Sequence, residues 1–309
     1  MLGALACLVL LLIGTMVAMV LYTAWPSFRS NGLAWFGAGA PNQGQLDDIF
    51  NSPANPAAYQ YELRAWPMIW GTLLTTAGAV AAALTISLLS AIFIVEFAPP
   101  RIKRVIEPVV RLLAAVPSVV YGLVGVLVLV PFVGNLLVSE RRKAEVQYVV
   151  QLTGDSLLVA VLILTFMITP IMVAIMVDAL RAVPRSWMEG SAALGVNRWR
   201  TIWKIGVRAA RPAIVAGVVL ATARAIGEAI MLAMVSGSWF APNPLDGFTF
   251  LVEPTRPLAA SIVFYLEGRT VPPLGQTLAA IAAVLLISSL FLSLAGWAAK
   301  QPLKRYGIV

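Results

Sequence analysis

Arg224 and Glu228 stand four residues apart in the middle of the apolar stretch Ala213 to Val235. A run of that length and hydrophobicity predicts a membrane-spanning helix. An ionised arginine at the centre of such a helix costs about 2.5–3.5 kcal/mol on insertion scales, so a chain that carries one has a use for its charge. At i,i+4 the two groups share a helix face and can pair. Two readings are open: a self-neutralising structural bridge, or a guanidinium that faces a polar path and meets an anion. Arginine suits oxyanions because its donors form a planar fork. In the second reading Glu228 pairs with Arg224 at rest and weakens its hold on the anion, because conduction needs binding weak enough to release.

The surrounding composition favours a membrane setting. Of 309 residues, 60% are hydrophobic and 12% charged, against about 25% charged in soluble domains. The chain reads as an integral membrane protein. A single cysteine, Cys7, excludes an internal disulfide and any cysteine metal cluster, and reads as a lipid-facing or packing residue. With no histidine, imidazole proton relays and histidine-ligated metals are excluded.

Six spans position the charged pair. They are read at Leu2–Ala24, Trp66–Phe97, Leu112–Val138 with Pro117 and Pro131 inside it, Leu157–Leu180 with Pro170 inside it, Ala213–Val235, and Leu274–Ala299. The first lacks a basic leader and a cleavage site, so it reads as an anchor. The second would be a helix of about 48 Å, longer than the hydrocarbon core, and must tilt or protrude. Segment 25–65 reads as an external loop. Thr255 to Glu267 reads as a short helix lying against the membrane surface. Lys and Arg number fourteen in segments 101–111, 181–211 and 300–309, and seven in the other three loops. The positive-inside rule therefore places both termini and the 181–211 stretch in the cytoplasm. The cluster Arg141-Arg142-Lys143 goes against that rule, flanked by Glu140 and Glu145.

Within 181–211, the run Glu189-Gly-Ser-Ala-Ala-Leu-Gly195 predicts two short amphipathic helices joined by a turn at Gly195. Trp187, Met188, Leu194, Trp199, Ile202 and Trp203 would supply apolar contact. Large apolar groups among seven basic residues suit docking onto a partner protein, with anionic headgroups as the other surface such a loop could rest on. Glu189 is expected to hold the turn by capping or by pairing with a neighbour such as Arg198. Near the third span, Pro117 frees backbone groups that are tolerated at membrane depth only beside protein or a water-lined cavity. Ser118, Tyr121, Thr72 and Thr75 are hydroxyl donors for such a path, ordinary interhelical bonding being the other use of the threonines.

Glu189, the small residues that follow it (Ala192 among them), Leu194, Gly195 and, ten residues on, Ile205 resemble the coupling-loop motif of binding-protein-dependent ABC importer permeases. In that family the motif forms short helices that insert into the ATPase subunit. The pattern departs at Val207 and Arg208, where the family has leucine and proline. Three further segments narrow the resemblance to phosphate-specific ABC transporter permeases: Leu113 to Gly122 around Pro117-Ser118, Arg224-Ala-Ile-Gly-Glu228, and Glu96-Phe-Ala-Pro99. The long first external loop and the order of features resemble the PstC type more than the PstA type.

The resemblance spans roughly 66–299 and implies a type I ABC importer permease fold: an all-α integral membrane protein with six transmembrane helices and a cytoplasmic coupling-helix loop. The expected organisation is a first helix and external loop at 1–65, a transmembrane core at 66–299 with the coupling loop at 181–211, and a basic cytoplasmic tail at 300–309. The implied function is translocation of inorganic phosphate across a bacterial plasma membrane, as a multi-pass subunit. Arg224, Glu228, Pro117, Ser118, Tyr121, Thr72 and Thr75 are assigned to the path. Glu189, Ala192, Leu194, Gly195, Trp199 and Ile205 are assigned to ATPase coupling. No Gly-x-x-x-x-Gly-Lys-Ser/Thr motif is present, so no cofactor is expected in this chain and ATP with magnesium belongs to a separate subunit. The implied partners are a second permease (PstA type), an ATPase dimer (PstB type), an extracytoplasmic phosphate-binding protein (PstS type) and membrane lipid, with no nucleic acid. Sulfate or molybdate as the oxyanion, and a stand-alone anion channel or ion-coupled transporter, are the alternatives.

Overall fold

The computed structural model describes residues 2–38, 42–53, 55–146, 151–237 and 248–304. Among these, every regular element is helical. In chain order the α-helices are α1 (Leu2–Asn31), α2 (Asn42–Phe50), α3 (Trp66–Ile92), α4 (Pro100–Ala114), α5 (Ser118–Val124), α6 (Val130–Leu136), α7 (Glu140–Val146), α8 (Leu157–Arg181), α9 (Arg185–Ala193), α10 (Arg198–Thr201), α11 (Val207–Ile226), α12 (Ile230–Val235), α13 (Leu258–Phe264) and α14 (Pro272–Lys304). Three π-helical turns, Phe93–Phe97, Gly125–Leu129 and Ile202–Gly206, extend or join them.

Six helical runs are long and apolar enough to cross a membrane, at Leu5–Phe36, Trp66–Phe97, Ser118–Leu136, Leu157–Arg181, Arg198–Ile226 and Pro272–Ala299. The first, third and fifth differ from their sequence boundaries, the first by running on past Ala24 to Phe36. Leu112 to Ala114 end α4, an amphipathic helix whose Val105 and Leu112 are well exposed, and span three begins only after the break at Pro117. Pro131 does not interrupt it. The π-helical turn before Pro131 runs directly into α6, so the helix continues through the proline. Span five does not reach Val235, because the helix stops at Ile226. Of the basic tail, residues 305–309 lie outside the described residues.

The packing resolves into two units. The first comprises residues 1–75, 122–160 and 228–288. Its core joins Ala24, Trp35, Leu46, Ile49, Leu63, Met68, Leu258, Leu274 and Ile281, so much of the segment expected to be an external loop is folded. Asn31 fixes its course: the side chain donates to Ser27 O and Tyr61 O and accepts from Leu63 N at 3.0 Å. The segment around Arg256 is also buried and does not lie on a surface. Leu258, Ala259, Ala260 and Ser261 are all buried, and α13 starts where Leu258 N donates to Thr72 Oγ1 at 2.9 Å. The Arg256 guanidinium sits over the Phe264 ring at 4.1 Å from its centroid, and Tyr265 donates to Asp47 Oδ1 at 2.9 Å. Burial lowers the Arg256 pKa to about 10 and raises that of Tyr265 to about 12, so both keep their proton at neutral pH.

The second unit comprises residues 76–121, 161–227 and 289–309. Small residues let its helices approach closely: Gly78 faces Val161, Gly217 faces Ile175 and Gly296 faces Val219. Thr165 donates to Ala79 O at 3.4 Å and Ser87 to Thr169 O at 3.2 Å, which places α3 against α8. Near the ends of these helices Arg181 forms a two-pronged ion pair with Glu107 of α4. The hydrogen bond from Arg181 holds the Glu107 carboxyl below its ordinary pKa.

In the first unit Gly154 packs on α6 with φ +110°, and a Cβ there would lie 2.2 Å from Val130 O and 2.9 Å from Gly134 N. Gly154→Ala combines backbone strain with a clash against main chain, and is expected to destabilise the protein by about 3 kcal/mol or more. Thermal unfolding of the detergent-purified protein measures this, and an unchanged midpoint would refute the packing.

Candidate functional site

Two clusters of side chains carry the site, both in the second unit. The first surrounds the break before span three. Pro117 has no N–H, so Leu113 O loses its α-helical donor. Residues 115–117 leave the helix, and two groups attend to the carbonyl instead: Val116 N at 3.2 Å and the Tyr121 hydroxyl at 3.0 Å. Ser118 and Tyr121 are half-buried and Pro117 is exposed. Arg224, near the end of α11, is exposed and lies close enough for its charge to act on the Tyr121 hydroxyl. Among the described residues no hydrogen bond or ion pair holds its guanidinium. The structure thus brings together three of the expected path groups: the proline break, Tyr121 and Arg224.

Glu228 and the threonines take other roles. Glycine is a poor helix former, and Gly227 ends α11 by donating to Ala223 O at 3.3 Å. Glu228 therefore lies in the link to α12, where its Oε1 accepts from Met231 N at 3.3 Å. Its carboxylate caps the next helix, as carboxylates do at N-termini. The i,i+4 register on which pairing with Arg224 rested ends one residue before Gly227. Thr72 and Thr75 are buried and donate to their own helix, at Met68 O (2.8 Å) and Gly71 O (2.7 Å). Thr72 also caps α13, so these hydroxyls serve packing and are not free donors.

The second cluster is the helical hairpin of α9 and α10. Gly195, at φ +73°, makes the turn that L side chains rarely adopt. Gly195 N donates to Ala192 O at 2.9 Å and Val196 N to Ser191 O at 3.2 Å. The Asn197 side chain caps α10 by accepting from Trp199 N at 2.7 Å. Between the two helices, the buried hydroxyls of Ser191 and Thr201 share a hydrogen bond of 2.8 Å. Sequence reasoning missed this pair; small polar residues either side of a turn glycine were the available signal. Glu189 is exposed and does not hold the turn with Arg198. Arg198 instead reaches back to the end of α3, where Glu96 Oε2 lies 3.5 Å away and the Phe97 ring centroid 4.9 Å away.

The hairpin displays apolar groups outward. Leu194 is 84% exposed, Trp199 50% and Trp187 42%, and Ala192 is exposed beside them. Trp199 packs edge-on to Trp203 at 5.7 Å, which stiffens the face. Ile202 is buried, contrary to its expected place on that face, because the π-helical turn it opens rotates it inward. Ile205 is half-buried in the same turn. Through this turn the hairpin continues without a break into span five, from Arg198 to Ile226. A cavity of about 520 Å³ lies behind the hairpin, lined by Glu96, Arg181, Arg185, Met188 and Arg198 among others.

Residues 83–301 match the family of binding-protein-dependent transport system inner membrane components. A phosphate transport system permease protein PstC 1 of Mycobacterium tuberculosis is 32% identical over 88% of this chain and 82% of its own length. A probable phosphate transport system permease protein PstC of Methanocaldococcus jannaschii is 30% identical over 71% of this chain and 67% of its own. A probable ABC transporter permease protein, YqgH, of Bacillus subtilis is 40% identical over 60% of this chain, a match that spans only 56% of the relative. Among solved structures, the MetNI methionine ABC transporter in an inward-facing conformation superposes with a TM-score of 0.53 at 16% identity, over 77% of this chain and 96% of that one.

Thr201→Val would leave the buried Ser191 hydroxyl without its partner, at a cost of about 1–3 kcal/mol. Ser191→Ala combined with Thr201→Val is expected to recover most of that loss. A double-mutant cycle on thermal stability measures the coupling, and additive losses would show that the two hydroxyls do not interact.

Proposed function

Because the chain belongs to the binding-protein-dependent transport system inner membrane components, and has the fold of a type I ABC importer permease, we propose that it is the permease subunit through which an ATP-driven importer moves inorganic phosphate. The observation that carries this reading is Arg224. It is a guanidinium within a membrane-spanning run, exposed on the chain and close enough for its charge to act on the Tyr121 hydroxyl after the break that precedes span three. A cation in that setting needs a counter-charge, and a passing oxyanion supplies one through the paired donors of the fork. Phosphate is the chemistry that the names of the mycobacterial and archaeal relatives carry.

In this reading Pro117, Ser118, Tyr121 and Arg224 line the path, and Glu228 keeps the link after α11 in place. The exposed Leu194, Trp199 and Trp187 dock into the ATPase, with Gly195 setting the angle of the hairpin. ATP and magnesium act there, outside this chain. A second permease of PstA type, an ATPase dimer of PstB type and a PstS-type binding protein complete the complex. Both termini and the hairpin lie in the cytoplasm of a bacterial cell. The basic cluster on the other side remains an exception to the positive-inside bias, with Arg141 paired to Glu145 at 2.9 Å and Lys143 to Glu140 at 2.6 Å.

The test is phosphate uptake by the complete complex in proteoliposomes, with sulfate and molybdate as competitors. Arg224→Ala is expected to abolish uptake, and Arg224→Lys to retain a minor part of it because the fork is lost. Full uptake with either variant would refute the anion-handling role, and equal competition by sulfate would refute the selectivity. A Cβ at Gly195 would meet nothing within 4 Å, but Gly195→Trp puts a bulky group with a disfavoured φ at the docking turn. It is expected to leave the chain in the membrane and to lower ATP-driven uptake at least tenfold, and normal uptake would refute the coupling assignment.

A further inference from the structure

Span two ends in Ala98-Pro99-Pro100, and two consecutive prolines remove two consecutive amide donors. In α-helical register those donors would serve Val95 O and Glu96 O. The chain tightens what it can: Ala98 N bonds Phe93 O at 2.8 Å, closing the π-helical turn. The two carbonyls are then met by side chains of opposite origin. Lys103, one turn into α4, donates to Val95 O at 2.7 Å. Arg198 donates to Glu96 O from the hairpin, more than a hundred residues along the chain. The same guanidinium faces the Glu96 carboxylate at 3.5 Å and the Phe97 ring at 4.9 Å. One side chain thus reads three features of a single helical turn: its free carbonyl, its acid and its aromatic ring.

Cations are favoured at a helix C-terminus, and only a planar, multi-donor cation can satisfy a carbonyl, a carboxylate and a ring together. Lysine at 198 could meet one or two of these, never all three. The cavity of about 520 Å³ beside this contact means that close packing does not otherwise fill the space between the hairpin and the end of α3.

We propose that Arg198 is the positioning residue that links the hairpin to span two, by capping the carbonyl that Pro99-Pro100 leave open and by engaging Glu96 and Phe97. The inference rests on the coupling role proposed for the hairpin. Movement of the hairpin under nucleotide is then delivered to two spans at once: to span five through continuous helix, and to span two through Arg198. Glu96-Phe97-Ala98-Pro99 is the receiving half of the joint.

The test is made on the assembled importer in proteoliposomes, reading three quantities: ATPase subunit retained on the complex, ATP hydrolysed, and phosphate moved per ATP. Arg198→Ala is expected to retain the ATPase and to lower phosphate moved per ATP at least tenfold. Arg198→Lys is expected to recover part of the ratio, and Glu96→Gln, which keeps the carbonyl and the ring, to fall less than threefold. An unchanged ratio for Arg198→Ala would overturn the proposal. Loss of the ATPase from the complex would overturn it too, by assigning Arg198 to the docking face. If Arg198→Ala is not recovered from the membrane, Arg198→Lys and Phe97→Leu decide: a full ratio for both overturns the linkage, and a reduced ratio with the ATPase retained supports it. Failure of the coupling role itself reads differently, as normal uptake by Gly195→Trp whatever the outcome at Arg198.

Discussion

Hydrocarbon offers no hydrogen bonds, so each proline in or beside a membrane span deletes a donor that only the protein can replace. This chain answers that constraint in several ways, and residues proposed for its path and coupling sit where the answers are. At Pro117 the replacement is a tyrosine hydroxyl on the following helix. At Pro99-Pro100 it is a lysine from the next helix and an arginine from the hairpin. At Pro131 the helix takes a π-helical turn just before the proline and runs on. The polar side chains that a transport path or a mechanical joint requires are drawn to these points by the backbone itself.

Much of this was legible in the residues. Six spans follow from apolar run length, and the hairpin follows from Gly195 between amphipathic segments with exposed tryptophans. That Tyr121 lies within range of the Arg224 charge was not legible, because it depends on how α5 packs relative to α11. The misreadings share a physical cause. Glu228 was placed on the face of Arg224 by assuming an unbroken helix, whereas Gly227 and a carboxylate able to cap α12 favour two helices. Thr72 and Thr75 looked like donors along a path, but a threonine in a helix can always satisfy itself on the carbonyl four residues back, and both do. The burial of Arg256 and the Ser191–Thr201 bond depend on tertiary packing, which no periodicity encodes.

The length of the fifth run sets the geometry of transmission. From Arg198 to Arg224 the helix is continuous, and at about 1.5 Å per residue it extends roughly 39 Å. The docking hairpin and the membrane guanidinium are therefore opposite ends of one rod in one packing unit. A tilt imposed at the first is felt at the second without any intervening loop. The Ser191–Thr201 bond matters in this light, because it fixes α9 to the root of the rod and lets the hairpin turn as one body.

The π-helical turn at Ile202–Gly206 also bears on how such a chain can change over generations. An α-helix rotates by about 100° per residue, so losing one residue normally turns everything beyond it to a different face. A π-helical turn already holds one residue more than its α-helical counterpart. A single-codon deletion there could close the turn to ordinary helix without breaking the rod, and it would leave Arg224 on nearly the same side of the rod relative to the hairpin. The same deletion in the α-helical part of the rod would swing that side chain to another face, so this turn is where the rod can lose a residue and keep the direction in which Arg224 points.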